Sequence, residues 1–285
     1  MKSNYTSRSL AAKTLQYIIL IVFGLVFIVP LLWIIITSFK VDMEIYDAGG
    51  FMFFPKTWTL DNFKELLNPN NKQIPIYNWF LNSFIVSGIH TVLAVVIFSM
   101  SAYAYAKLDF KGKNVIFYTI LLMSSFPQIT NIIPLYKVML TFGWLNKLIA
   151  LIVPGLAGVM NIFLIRQFMY GIPDSVLESA RIDGANEAYI FTKLIIPMCR
   201  PILTVVGLFS FTANWNDFLW PSVAINNIDK LTLTAGLQLA KGVYDAKVAK
   251  MSATAVLAII PMIILFMFTR RHFENGLSLQ SGVKE

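Results

Sequence analysis

Two amides, a carboxylate and flat apolar rings stand together in Asn214-Trp215-Asn216-Asp217-Phe218-Leu219-Trp220-Pro221. Amides and carboxylates give paired partners to hydroxyl groups and ring faces cover C–H faces, so a concave site of this kind suits a carbohydrate. The same composition also fits the aromatic belt found where a bilayer meets water. On a helix, Asn216 and Trp220 share a face at i and i+4, with Asp217 one step around; with Asn214 they are the candidate lining of a substrate path. Other chemistry is sparse. No phosphate loop of pattern Gly-x-x-x-x-Gly-Lys-Ser/Thr occurs, so ATP hydrolysis is not expected of this chain. Cys199 is the only cysteine, which leaves no internal disulfide and no Cys-based metal site. His90 and His272 lack metal-ligand spacing, and no nucleophile, base and orienting group can be assembled, so no catalytic residue, metal ligand or chain-bound cofactor is expected.

The second constellation is a charged stretch lodged between long apolar runs. Ser175-x-x-Glu178 has the capping-box pattern, which predicts a short helix starting near Ser175. Val176, Leu177 and Ala180 would form its apolar stripe, while Glu178, Arg181 and Asp183 face elsewhere. Asp183-Gly184 reads as a break, because glycine tolerates positive φ. A second helix is expected from about Ala185 until Pro197, which lacks a backbone donor and would mark the start of the next segment.

Glu178-Ser179-Ala180, three residues, Gly184, nine residues and Leu194-x-Ile196-Pro197 resemble the signature loop of bacterial ABC importer permeases: Glu-Ala-Ala, three residues, Gly, nine residues, Ile-x-Leu-Pro. Ser for Ala, Leu for Ile and Ile for Leu are the departures. Arg181-Ile182-Asp183-Gly184-Ala185 is similar to the carbohydrate-uptake branch, which includes maltose, oligosaccharide and glycerol-phosphate importers, and Trp215-Asn216-x-Phe218-x-Trp220-Pro221 is similar to it again. The resemblance runs from about residue 80 to the C-terminus. It implies that Glu178, Ser179, Ala180, Arg181, Asp183, Gly184, Ala185 and Pro197 belong to a coupling helix docked on a separate ATP-hydrolysing subunit. It also implies partners: a second homologous permease, two ATP-binding subunits carrying ATP and Mg, and an extracellular sugar-binding protein. The tail from Gly276 is similar to the ending of maltose-type permeases, which implies that Gly282, Val283 and Lys284 contact the ATPase subunits; a frayed end is the alternative.

The elements that must hold these groups are membrane spans. Hydrophobic residues make up 57% and charged residues 13% of 285, against roughly 25% charged in soluble domains. Apolar runs near the ~20 residues that cross the hydrocarbon core lie at about 15–38, 83–106, 114–136, 147–168, 199–222 and 252–269. The first run continues through Pro30 to Trp33 without a small-residue cleavage site, so it reads as a retained span. Pro30, Pro127, Pro134, Pro154 and Pro261 sit inside runs, where each frees a carbonyl that neighbours must satisfy. Ser99, Ala102 and Ala106 make a small-residue face for close helix packing. His90 and Asp217 are the ionisable groups within spans, each a functional candidate by default, though His90 also serves as a structural donor.

Lys2, Arg8, Lys13, Lys107, Lys111, Lys113, Arg166, Arg181, Lys193, Arg200, Arg270, Arg271 and Lys284 fall on one side, the cytoplasmic one by the positive-inside rule. The lysine excess in 223–250 runs against this, but long loops cross largely regardless of charge. The net charge of +8 is then topology, and no basic stripe interleaved with aromatics points to nucleic acid. The expected fold is all-α: a polytopic membrane protein of six transmembrane helices with a cytoplasmic coupling helix between helices 4 and 5. It forms one transmembrane domain, 1–285, with core 77–272, coupling loop 169–198 and a cytoplasmic tail 273–285. It would span the bacterial inner or plasma membrane, surrounded by lipid, with both termini cytoplasmic. The expected function is a sugar or oligosaccharide permease subunit. The alternatives are a permease of the same branch for a polyol such as glycerol phosphate and an ion-coupled sugar transporter. The latter needs midplane carboxylates and an internal repeat, neither of which is found; a membrane-embedded enzyme is a weaker third.

Overall fold

A computed structural model describes residues 3–47, 52–69, 71, 74–243 and 247–281, and every regular element in them is helical. In chain order the main helices are α1 (Ser3–Thr37), α2 (Ile76–Lys107), α3 (Lys113–Met123), α4 (Ile132–Thr141), α5 (Val159–Tyr170), α6 (Asp174–Ile182), α7 (Arg200–Asn216), α8 (Leu219–Ala224), α9 (Leu233–Val243) and α10 (Val248–Ser281). Three stretches are long and apolar enough to cross a membrane: Ala12–Thr37 of α1, α2, and Val248–Phe268 of α10. Two bent pairs bring the number to five if each is one span: Ile149–Ala157 with α5, bent by 47°, and Glu187–Met198 with α7, bent by 80°.

The breaks have identifiable causes. The expected run 114–136 is not continuous, for α3 stops at Met123 and α4 begins only at Ile132. Between them lies Pro127, at φ −57° and ψ 126°, where proline removes a donor and disfavours a helical predecessor. Pro154 likewise separates Ile149–Ile152 from α5. Pro30 and Pro261, by contrast, stay inside α1 and α10.

The chain divides into two units, residues 1–68 with 241–259 and residues 69–240 with 260–285. In the first, the buried amide of Asn62 donates to Ser38 O at 3.0 Å and Lys40 O at 2.8 Å, satisfying carbonyls just past the end of α1. Phe39 packs between Trp58 (5.9 Å) and Phe63 (5.2 Å). Glu44 accepts the Lys56 and Thr57 amides at 3.1 and 3.0 Å, and Asp42 accepts the Ala249 amide at 2.9 Å. Those bonds tie residues 38–44 to residues 56–62 and to Ala249.

In the second unit α2 is the central post, packed against α7 and α5. Its buried face includes Ser99, Ala102 and Ala106, as the small-residue spacing predicts. At its other end Trp79 is fully buried and donates from Nε1 to Ile228 O at 2.6 Å. A Cβ on Gly236 would lie 2.3 Å from the Trp79 ring, so the α9 backbone rests directly on the indole. Nearby Asn82 donates to Asp229 O and Leu231 O at 2.9 and 3.0 Å.

Candidate functional site

The charged segment between α5 and α7 is a folded bracket with two arms. Pro173, at φ −60°, occupies the cap position before α6, which runs Asp174–Ile182 without a side-chain cap bond. The expected Ser175–Glu178 capping box is therefore not formed. Ser175 already lies inside the helix, where its carbonyl accepts the Ser179 hydroxyl at 2.8 Å, and the start is set instead by Pro173 and by Lys107, which donates to Ile172 O and Asp174 Oδ1 at 2.6 Å each. Leu177 is 2% exposed, a burial that contributes about 1.5–3 kcal/mol to holding the arm down. Val176, expected beside it, is 37% exposed. Glu178, Ser179, Arg181 and Asp183 point outward, and Ile182 is 86% exposed at the tip.

Gly184 ends α6 at φ +84°. Its amide donates to Arg181 O at 3.0 Å and the Ala185 amide to Ala180 O at 2.9 Å, the paired bonds of a Schellman motif. Ala180 and Ala185 close it by packing against the same apolar cluster. The second arm opens with Asn186, whose side chain accepts the Tyr189 amide at 2.8 Å. It runs through Glu187–Tyr189, a π-helical turn Ile190–Ile195 and Ile196–Met198. Pro197 was expected to end this helix, but the break falls at Cys199 instead. The wide π turn just before Pro197 is the form that relieves the clash of a proline ring with the preceding carbonyl.

Both arms are tied to the C-terminal end of α2. Tyr103 donates its hydroxyl to Glu187 Oε2 at 2.5 Å and packs its ring on Phe191 at 5.2 Å, while Arg181 Nε donates to Glu187 Oε1 at 2.8 Å. The Arg181 and Tyr103 bonds hold the Glu187 carboxyl below the usual carboxylate range. Tyr103, Lys107 and Glu187 were not singled out from the sequence as partners. Their only local signals are the i, i+4 spacing of Tyr103 and Lys107 and the acidic first turn after Asn186.

The Asn214–Trp220 cluster is arranged differently from the helical face predicted for it. α7 ends at Asn216, and Asp217 is extended at ψ 123°. The Asp217 carboxylate accepts the Leu219 and Trp220 amides at 3.1 and 3.3 Å, the action of a cap on α8. Asn214 bonds back to Ser210 O at 3.0 Å, and Asn216 is exposed. Trp220 Nε1 donates to Ala150 O at 2.8 Å, the carbonyl that Pro154, lacking an N–H, leaves without a helical donor. His90 Nδ1 meets Ile152 O at 2.7 Å in the same break, and a Cβ on Gly155 would lie 2.5 Å from the His90 ring. Both side chains thus satisfy carbonyls of a broken helix.

Arg166 was read as a marker of the inner face, yet it is 2% exposed. Its guanidinium lies 4.0 Å from the Phe117 ring centre and 4.7 Å from that of Tyr170, and it donates to Asn114 Oδ1 at 3.1 Å. Ring faces and an amide hold this cation, joining α3 to α5. Among the described residues no group of three or more His, Cys, Asp or Glu could hold a metal ion. Gly282, Val283 and Lys284 lie outside the described residues.

Residues 97–279 match the family model described as binding-protein-dependent transport system inner membrane component. The chain is 34% identical over 256 residues to the arabinooligosaccharides transport system permease protein AraQ of Halalkalibacterium halodurans, covering 90% of each. It is 30% identical over 268 residues to the diacetylchitobiose uptake system permease protein NgcG of Streptomyces coelicolor, covering 93% of this chain and 87% of that one. Its fold matches a chain in the crystal structure of a bacterial ABC transporter involved in the import of the acidic polysaccharide alginate, with a TM-score of 0.78, 22% identity and coverage of 92% and 96%. With the family model spanning more than half its length, the chain belongs to the binding-protein-dependent transport system inner membrane components.

Proposed function

We propose that this chain is one of two membrane subunits of an ATP-driven importer, passing a sugar or oligosaccharide handed over by an extracellular binding protein. The carrying observation is the bracket 174–198, which keeps the Glu178, Gly184 and Pro197 spacing on a folded, outward-facing tip. Charged Glu178, Arg181 and Asp183 around the exposed Ile182 suit a cleft on another protein. In this reading ATP and Mg sit on two partner subunits whose closure pushes the bracket. The spans then rock about the breaks at Pro154 and Cys199, and substrate passes. Six crossings would comprise the three long helices, the bent pair Ile149–Ala157 with α5, α7 and α3, with both termini cytoplasmic. Gly282, Val283 and Lys284 would add a second contact to the ATPase, and Asn214, Asn216, Asp217 and Trp220 would stand by the outer mouth. Sugar as cargo is supported by what the relatives are named for.

The test is affinity purification from detergent with mass spectrometry, paired with uptake. An ATPase and a second permease are expected to copurify with the wild type. Gly184→Val should lose the ATPase and uptake but keep the second permease, because a β-branched residue at φ +84° costs about 1–2 kcal/mol or more and opens the turn. Normal uptake by that variant would sink the coupling role.

A further inference from the structure

Two side chains one turn apart on α2 hold opposite arms of the bracket. Lys107, whose side chain is 3% exposed, clamps the start of α6 through Ile172 O and Asp174. Tyr103, 5% exposed, clamps the second arm through Glu187. Arg181 closes the figure by bridging the arms across the Gly184 turn, to the same Glu187 carboxylate. Between the clamps, Leu177, Ile190 and Ile195 are buried in one cluster with Ala102, Tyr103 and Ala106 of α2. On the α7 side the chain leaves the bracket through a π turn and an 80° bend at Cys199. A π turn and a sharp bend are compliant points in a helix. Stiff attachment is thus on α2, and the compliant one on α7.

We infer that Tyr103 is a positioning residue, which with Glu187 and Arg181 makes the bracket a rigid extension of α2, so that a push on the tip moves α2 directly and reaches α7 through its bend and its packing on α2. This rests on the proposed docking of the bracket to an ATPase. It adds which span receives the push and which contact carries it. Because Tyr103 is buried on the inner side of the bracket, it lies away from the outward tip, and its replacement perturbs transmission without touching the docking surface.

The experiment uses the complete complex, with its partner subunits, in proteoliposomes supplied with sugar-loaded binding protein. Uptake and ATP hydrolysis are measured together for Tyr103→Phe, Glu187→Gln and the double variant. Tyr103→Phe keeps the ring against Phe191 and removes only the hydroxyl bond to a carboxylate, the stronger class of hydrogen bond. In Tyr103→Phe, capture of the ATPase and basal hydrolysis should stay within about two-fold, while sugar moved per ATP falls roughly ten-fold, the scale of one charge-assisted bond. The double variant should fall no further than the worse single one, since both remove one link. Wild-type stoichiometry in Tyr103→Phe, losses that multiply in the double variant, or a Tyr103→Phe complex that fails to assemble would each overturn the inference. Failure of the docking reading is read separately, because Gly184→Val would then leave ATPase capture unchanged.

Discussion

Asp217 shows how one carboxylate can be legible as chemistry and still hold structure. Its oxygen accepts the first two free amides of α8, so Asp217→Ala should cost about 1 kcal/mol, as lost caps do. Asparagine caps about as well as aspartate, so Asp217→Asn should keep the melting temperature. Under the proposed path role it lowers uptake all the same; unchanged uptake at unchanged stability would leave the residue a cap alone. Glu187 makes a pH prediction. Its carboxyl is held low by Arg181 and Tyr103, so its contribution is present above the unfolded value, near ~4.3, and is lost as pH falls through the lower folded value. The thermal stability difference between wild type and Glu187→Gln should therefore be constant from neutral pH down to about 5 and decline as pH falls below the unfolded value of ~4.3. A difference that persists in stronger acid would show that the clasp does not depend on the Glu187 charge. Because Glu187 is half exposed, solvent screening keeps the difference small.

Helix breaks, more than helices, separate what the chain's pattern announces from what only packing decides. Gly184 was legible because a turn after a charged helix needs a residue free to adopt positive φ, and the apolar runs were legible because crossing a bilayer demands length. The capping box was misleading: Ser175 and Glu178 have the right spacing, but Pro173 and the tether from Lys107 fix the start of α6 before a serine cap can form. Pro154 announced a freed carbonyl, yet nothing local says what answers it. The side chains that meet carbonyls of this break are Trp220, 70 residues beyond its partner Ala150, and His90, 62 residues before its partner Ile152. Through a long-range pairing of this kind the Trp220 N–H is already used, a fact its place in the sequence did not announce. α9 supplies a test at this scale. Gly236→Ala would place a methyl 2.3 Å from a fully buried indole, and either α9 lifts or Trp79 turns. Overpacking of this kind typically costs about 1–3 kcal/mol, so the purified protein should melt earlier and quench its tryptophan emission differently. An unchanged melt would mean that the indole shifts freely and α9 is not seated on it.

At the scale of the molecule, sidedness is proposed from the placement of lysine and arginine, and the structure sets where the helices end. Three helices are long and apolar enough to cross, and up to five crossings result if each bent pair is one span; whether α3 also crosses determines on which face the connections after it emerge. With the proposed cytoplasmic N-terminus, the 39–76 connection lies outside and the 107–113 connection, with Lys107, Lys111 and Lys113, lies inside. Cys199 is the only cysteine and is fully buried, so single cysteines placed at exposed Lys56 or Lys111 report sidedness without background from the native thiol. An impermeant maleimide added to right-side-out vesicles should label Lys56→Cys at once and Lys111→Cys only after the membrane is opened. The charge pattern makes this a demanding test, since moving three lysines to the outer face costs orientation preference that their neighbours Arg166, Arg181 and Lys193 cannot restore. Labelling of Lys111→Cys in sealed vesicles would reverse the bracket to the outer face, where no ATP-hydrolysing partner works, and would bring down the coupling role with the topology.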